Sequence, residues 1–271
     1  LIMSLLQIII LALIQGLTEF LPVSSSAHLV AAPELLGWER DQGPIFDLMA
    51  HFGTLFAVMI YFHKDLKKAV LGTRDLCRLK LNKGSALALN LIISSLPVLL
   101  FGYQLNKYGF DAILRFVPII AFTTITFGIL LWLADVLCEE TKTTEDLTWK
   151  NAILLGLSQT LALIPGTSRS GITMTAGRFM KMSRVECARF SMLMSLPVIG
   201  AGGIFSFLTL LNDTSAMNEN LFDGLLLAAL SFLAAYSCIA LFMRVVTKIG
   251  FLPFMIYRII LGCLLLMWYF I

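Results

Sequence analysis

The sequence predicts an all-α polytopic membrane protein, with six transmembrane helices plus two re-entrant helix pairs in an inverted-topology repeat. Three observations predict it. First, 58% of the 271 residues are hydrophobic and the mean hydropathy is +0.87. Second, only 14% are charged, against about 25% in an average soluble domain, and a soluble monomer of this size cannot bury so much apolar side chain. Third, two of the apolar stretches are interrupted by Pro, Gly and runs of hydroxyl residues. A net charge of +3 carried in short loops excludes a nucleic-acid binder. The five cysteines lie far apart with no CxxC spacing, which argues against a zinc site or a disulfide scaffold.

Along the chain, residues 1–30 form the first broken segment. Residues 1–14 hold no Lys or Arg, so a cleaved signal peptide is not expected there. The spans follow at 44–62, 86–105 and 115–137, each near the ~20 residues a crossing needs. Residues 63–83 carry seven basic residues and are expected as a cytoplasmic loop. The 138–150 loop then also lies inside. Residues 178–189 hold Arg178, Lys181, Arg184 and Arg189, again inside. Residues 149–177 therefore start and end on one side, and the segment is expected to turn back at Ile164-Pro165-Gly166. Three further spans, 186–212, 222–243 and 250–271, complete the chain, with the acidic 212–223 loop (Asp213, Glu219, Asp223) outside. This assignment puts 15 Lys and Arg in cytoplasmic loops and three in outer loops.

A shift of 143 residues lays Phe20-Leu21-Pro22-Val23-Ser24-Ser25-Ser26 over Leu163-Ile164-Pro165-Gly166-Thr167-Ser168-Arg169. The chain then divides into repeats 1–140 and 141–271 within one membrane domain. Each is a broken segment followed by three crossings, and an odd number of crossings inverts the second repeat.

Irregular backbone at membrane depth is tolerated only where protein buries it or a wet cavity lines it. Both broken segments carry groups such a cavity uses. Gln15 and Glu19 are four apart and share a helix face. After them come Ser24, Ser25, Ser26 and His28; the second segment supplies Gly166, Thr167, Ser168, Arg169, Ser170 and Thr173. Small residues let backbone N–H groups turn inward, hydroxyls add donors, and Arg169 adds a planar charged fork. Together they describe an anion cradle, and phosphate is the anion that matches best.

These two motifs, Gln15…Glu19 with Pro-Val-Ser-Ser-Ser-Ala-His at 22–28 and Pro-Gly-Thr-Ser-Arg-Ser-Gly-Ile-Thr at 165–173, resemble the undecaprenyl-diphosphate phosphatase family, the bacitracin-resistance type of integral-membrane phosphatase. The resemblance covers essentially the whole chain. It implies hydrolysis of undecaprenyl diphosphate to undecaprenyl phosphate and inorganic phosphate, recycling the lipid carrier for cell-wall synthesis. It also implies a bacterial inner-membrane location with the site facing the periplasm, a requirement for Mg²⁺ or Ca²⁺, and bacitracin competing by sequestering the substrate. A homodimer is a candidate assembly.

On this reading Arg169 clamps the terminal phosphate. Glu19 holds the cation or orients His28, and Gln15 is a metal or phosphate ligand. His28 is a candidate general acid, general base or nucleophile. Ser25 is a candidate nucleophile or phosphate donor. Ser24, Ser26, Ser168, Ser170 and Thr173 donate to phosphate or satisfy freed backbone. The sequence leaves phosphoserine, phosphohistidine and direct attack by water open. His51, where the family more often has an amide, could reach the cavity with Asp47, one helical turn away, but is expected to pair structurally with it, and Arg258 to snorkel or pair. The type 2 phosphatidic-acid phosphatases are excluded, because no His follows Arg169. A transporter or flippase for an anionic prenyl-phosphate lipid is the rival, since such repeats are a transporter architecture.

Overall fold

The computed structural model describes residues 4–38, 43–108, 116–211 and 221–270, apart from the side chains of residues 30, 33–35, 210 and 211. Asp213 and Glu219 of the acidic outer loop lie outside the described residues. Every extended element is helical, as the apolar runs require.

Helix α1 (Leu5–Thr18) starts at a capping box in which Ser4 Oγ accepts the Gln7 N–H and Gln7 Oε1 accepts the Ser4 N–H. The chain breaks through Pro22 and resumes as α2 (Ser25–Leu35) after Ser24, whose φ is +72°. Then follow α3 (Pro44–Tyr61), α4 (His63–Cys77), α5 (Lys83–Tyr108) and α6 (Val117–Leu137). The second half runs α7 (Trp149–Thr160), a 3₁₀ turn at Leu161–Leu163, α8 (Arg169–Phe179), α9 (Arg184–Leu211), α10 (Leu221–Ile249) and α11 (Leu252–Phe270). Among the described residues six helices are long and apolar enough to cross a membrane: α3, α5, α6, α9 (as Arg184–Thr209), α10 and α11. They match the six expected spans, and the protein is an all-α polytopic membrane protein. Helices α1 and α7, of 14 and 12 residues, reach only ~21 and ~18 Å, short of the ~30 Å hydrocarbon core.

Two expectations change. The 63–83 linker is not a plain loop, because α4 occupies most of it. Its buried residues Ala69 and Gly72 lie three apart on one face against α5, and a Cβ on Gly72 would collide with the Gly84 backbone. The basic residues Lys64, Lys67, Arg74 and Arg78 remain exposed. Asp223, counted with the outer loop, is buried in the first turn of α10.

The packing places α8 and α9 at the centre. Phe190, Leu193 and Met194 of α9 and Met174 of α8 share one buried cluster with Phe20, Val58 of α3, Leu131 of α6 and Ile239 of α10. Helix α10 packs on α1 and α3, α7 on α5, and α11 on α6. Large apolar side chains on the outer faces, such as Phe122, Leu233 and Phe270, are exposed, as a lipid-facing surface requires.

A buried ionic knot fixes the end of α8 opposite the broken segments. Asp135 accepts from Arg178 Nε at 3.2 Å, Arg184 Nε at 2.7 Å and the Phe251 N–H at 3.1 Å. Arg178, expected as part of a basic loop, is instead fully buried and also donates to the Cys138 and Met182 carbonyls. Removing one partner of a buried ion pair leaves the others uncompensated. Asp135→Ala is therefore expected to destabilise the protein by about 3–5 kcal/mol, read as a lowered midpoint in thermal unfolding of the detergent-solubilised protein.

Candidate active site

The two broken segments meet. Glu19 ends α1 and is 8% exposed; Arg169 opens α8, 150 positions later. Glu19 Oε1 accepts from Arg169 Nη2 at 3.3 Å, while Glu19 Oε2 accepts from Ser25 Oγ and from Gln15 Nε2, each at 3.1 Å. Arg169 is held in place by Nη1 donating to the Ser191 carbonyl at 3.1 Å, and its guanidinium lies 5.9 Å from the Phe20 ring centre. These residues open onto a cavity of about 470 Å³ whose wall includes Glu19, Ser25, Ser26, Ser168 and Arg169. Helix α2 starts at Ser25 and α8 at Arg169, so two helix N-termini, with their free N–H groups, converge there. Residues of α3 and α9 complete the lining, among them Gly202, beside which lies open space, and Gly203, which packs against Phe52 of α3.

The structure thus brings together Glu19, Ser25 and Arg169. It does not bring His28 to the cavity wall. The His28 ring turns away, with Nδ1 2.7 Å from the Ser24 carbonyl and Nε2 2.5 Å from Tyr257 Oη, stacked on the Tyr257 ring. The histidine that does line the cavity is His51. Its Nδ1 lies 2.8 Å from the Asp47 carbonyl, and its Nε2 is 3.9 Å from Glu19 Oε2. Asp47 lines the cavity as well. The expected side-chain pairing of the two is replaced by this backbone contact, which turns Nε2 toward the site.

Most of the remaining predicted residues lie behind the wall and join the segments to each other. Ser170 Oγ donates to the Leu21 carbonyl at 2.8 Å, and the Gly166 N–H reaches Ser26 Oγ at 3.4 Å. Thr173 pairs with Ser191 at 2.7 Å. Ser24 and Thr167 are buried. The carbonyls of Pro165 and Gly166 accept from Thr123 and Thr124 of α6. Gly166 sits at φ +90°, and a Cβ there would collide with Thr123 Oγ1 and the Ile120 carbonyl, so only glycine fits. Sequence reasoning missed Arg258. It does not snorkel; it is fully buried and donates to carbonyls of both broken segments.

The two segments also match one another locally. Ser24 and Ser168 both have positive φ (72° and 70°) and both precede a helix. Ser24 contacts Ser26 at 3.2 Å, and Ser168 contacts Ser170 at 3.1 Å. Gln15 and Gln159 are both fully buried. These pairs are 144 positions apart whereas the prolines are 143 apart, because in stretches of equal length Pro165 stands one position earlier relative to Gln159 and Ser168 than Pro22 does relative to Gln15 and Ser24.

The residues expected to hold a divalent cation do not fit one in this arrangement. Both Glu19 oxygens already accept from N–H or O–H donors, the Arg169 guanidinium among them. The Gln15 amide N–H points at the same carboxylate. Among the described residues no group of three or more His, Cys, Asp or Glu side chains converges. A Mg²⁺ or Ca²⁺ ion needs a shell of six or more oxygens, so no step is derived through a metal.

The family model described as bacitracin resistance protein BacA matches residues 8–264. The chain belongs to this family. A BacA-family relative, the undecaprenyl-diphosphatase of Maricaulis maris, is 46% identical over 268 residues, covering 98% of this chain and all of the relative. The undecaprenyl-diphosphatase of Alteromonas mediterranea is 47% identical over 266 residues, covering 97% and 98%. That of Saccharophagus degradans is 45% identical over 260 residues, covering 96% of each.

Proposed function

We propose that the protein hydrolyses undecaprenyl diphosphate to undecaprenyl phosphate and inorganic phosphate, recycling the lipid carrier, with bacitracin opposing it by sequestering the substrate. The observation that carries this reading is the Glu19–Ser25–Arg169 set, hydrogen-bonded across 150 residues on the wall of a cavity faced by two helix N-termini. A binding protein for an anionic lipid needs Arg169 and the N–H groups. It does not need a serine hydroxyl held on a carboxylate.

Arg169 and the free N–H groups of α2 and α8 bind the terminal phosphate and neutralise the charge on its oxygens. Glu19 accepts the Ser25 proton as Ser25 Oγ attacks the terminal phosphorus. The new Oγ–P bond forms as the bond from phosphorus to the bridging oxygen breaks, and undecaprenyl phosphate leaves. Glu19 releases that proton to solvent, accepts a proton from the water that attacks the phosphoserine, and returns it to Ser25 Oγ as the Oγ–P bond breaks and phosphate leaves. The test is phosphate release from undecaprenyl diphosphate by purified protein with Arg169→Ala as control. Release by wild type no greater than by Arg169→Ala overturns the enzyme reading.

The site is assigned to the periplasmic side of the bacterial inner membrane, with the broken segments as re-entrant pairs in an inverted repeat. Supporting this are the short α1 and α7, the matched features 144 residues apart, and the concentration of basic residues at 63–83 and 178–189. In a background without native cysteines, an impermeant thiol reagent added outside is expected to label Asp213→Cys and Glu219→Cys but not Lys67→Cys or Lys181→Cys. Labelling of both 181 and 213 contradicts the re-entrant path.

A further inference from the structure

Arg258 on α11 has surroundings unusual for a cation. It is fully buried, and no carboxylate among the described residues pairs with it. Its Nε donates to the Thr124 carbonyl at 2.9 Å, and its Nη2 to the carbonyls of Gly166 and Thr167, both at 2.9 Å, and of Thr123 at 3.5 Å. Nη1 reaches the Pro22 carbonyl at 3.4 Å. Main-chain oxygens from α6 and from both broken segments take the place of a counter-ion.

Peptide planarity carries the consequence further. In a trans peptide the N–H points opposite to the C=O. With their carbonyls held on Arg258, the Gly166–Thr167 and Thr167–Ser168 peptides turn their N–H groups away from it. The Thr167 N–H closes onto the Ile164 carbonyl at 3.2 Å. The Ser168 N–H has no acceptor among the described residues, and Ser168 lies on the cavity wall. A second feature agrees. A Cβ built on Gly171, in the first turn of α8, would lie 2.8 Å from Arg258 Nη1. The guanidinium therefore sits at the positive end of a helix, an unfavourable place unless an anion shares it.

We propose that Arg258 is a positioning residue of the phosphate cradle. It draws the loop carbonyls away from the cavity so that the N–H side of the second broken segment faces the phosphate, and it adds positive charge behind the first turn of α8. It touches no substrate and acts through the backbone. The proposal rests on the phosphohydrolase reading above.

Two variants test it. Lysine in Arg258→Lys carries its donors on a single nitrogen, which cannot reach the carbonyls that Nε, Nη1 and Nη2 reach from separate positions. In Gly128→Ala the new Cβ would lie 3.0 Å from Arg258 Cβ and 3.3 Å from its Nε, which displaces the side chain without removing its charge. For Arg258→Lys, kcat for phosphate release per folded molecule is expected to fall roughly 10²-fold. KM should stay within about threefold of wild type, the signature of an interaction made in the transition state. Gly128→Ala should move kcat in the same direction by a smaller factor. Wild-type kcat in both variants, with only a lowered melting temperature, overturns the proposal, because a purely structural arginine behaves that way. If Arg258→Lys does not fold, Gly128→Ala decides by the same criterion. Orthovanadate, which takes the five-coordinate geometry of phosphoryl transfer, reads the cradle without turnover. Its affinity should weaken roughly 10²-fold in Arg258→Lys, and an unchanged affinity overturns the proposal. Wild type releasing no more phosphate than Arg169→Ala counts instead against the phosphohydrolase reading, and the vanadate comparison still decides the role of Arg258.

Discussion

Arg169→Ala is expected to lower kcat/KM for phosphate release by about 10³- to 10⁵-fold, the range associated with an arginine that neutralises a phosphoryl transition state. Two effects add. The fork that would face the phosphate oxygens is lost, and the buried Glu19 carboxylate, held by Arg169 at 3.3 Å, is left facing an anionic substrate. Arg169→Lys should recover little, because a single ammonium nitrogen lacks the planar fork whose separate nitrogens hold Glu19 and the Ser191 carbonyl while presenting N–H groups to a phosphate. Colorimetric phosphate release at saturating and limiting substrate checks both, with the melting temperature confirming that the variants are folded.

The second large effect is at the Glu19–Ser25 pair. Glu19→Gln keeps the shape but loses the proton acceptor for Ser25, and kcat is expected to drop roughly 10²- to 10⁴-fold, the usual contribution of general acid–base catalysis. Ser25→Ala removes the proposed attacking oxygen and should cost at least as much. The double variant should be little worse than Ser25→Ala alone, because groups that act as a unit are not additive. Phosphate release across the four proteins supplies the cycle. Additive losses would show that Glu19 and Ser25 act independently.

The spans were legible because a membrane helix must be apolar around most of its circumference, and hydropathy reads that directly. The broken segments were legible for the opposite reason: Pro, Gly and clustered hydroxyls are costly in lipid and so mark where backbone faces protein or water. Helix α4 was not, because its buried stripe is made of residues as small as Ala69 and Gly72 within a strongly basic run. At the site, the Gln15–Glu19 pairing followed from helical spacing. The turning of His28 toward Tyr257 did not, since its partner lies 229 positions away on α11. His51 and Arg258 share that difficulty. The approach of His51 to Glu19 and the contacts of Arg258 are set only when distant helices pack, and Arg258 binds main-chain oxygens, which leave no trace in residue identity. The one-position difference between the repeats lies in the proline, which comes one residue earlier in the second segment, next to Gly166 at φ +90°.

The central claim is that Ser25, held by Glu19 and facing Arg169, is the phosphate acceptor. The most direct test is a rapid quench in neutral SDS, which preserves both phosphoserine and phosphohistidine, of purified protein mixed with undecaprenyl diphosphate labelled in its terminal phosphate. The prediction is protein-bound label that maps to Ser25, forms before free phosphate appears, and is absent from Ser25→Ala. Label on His28 or His51, or full turnover by Ser25→Ala with no labelled protein, would contradict it.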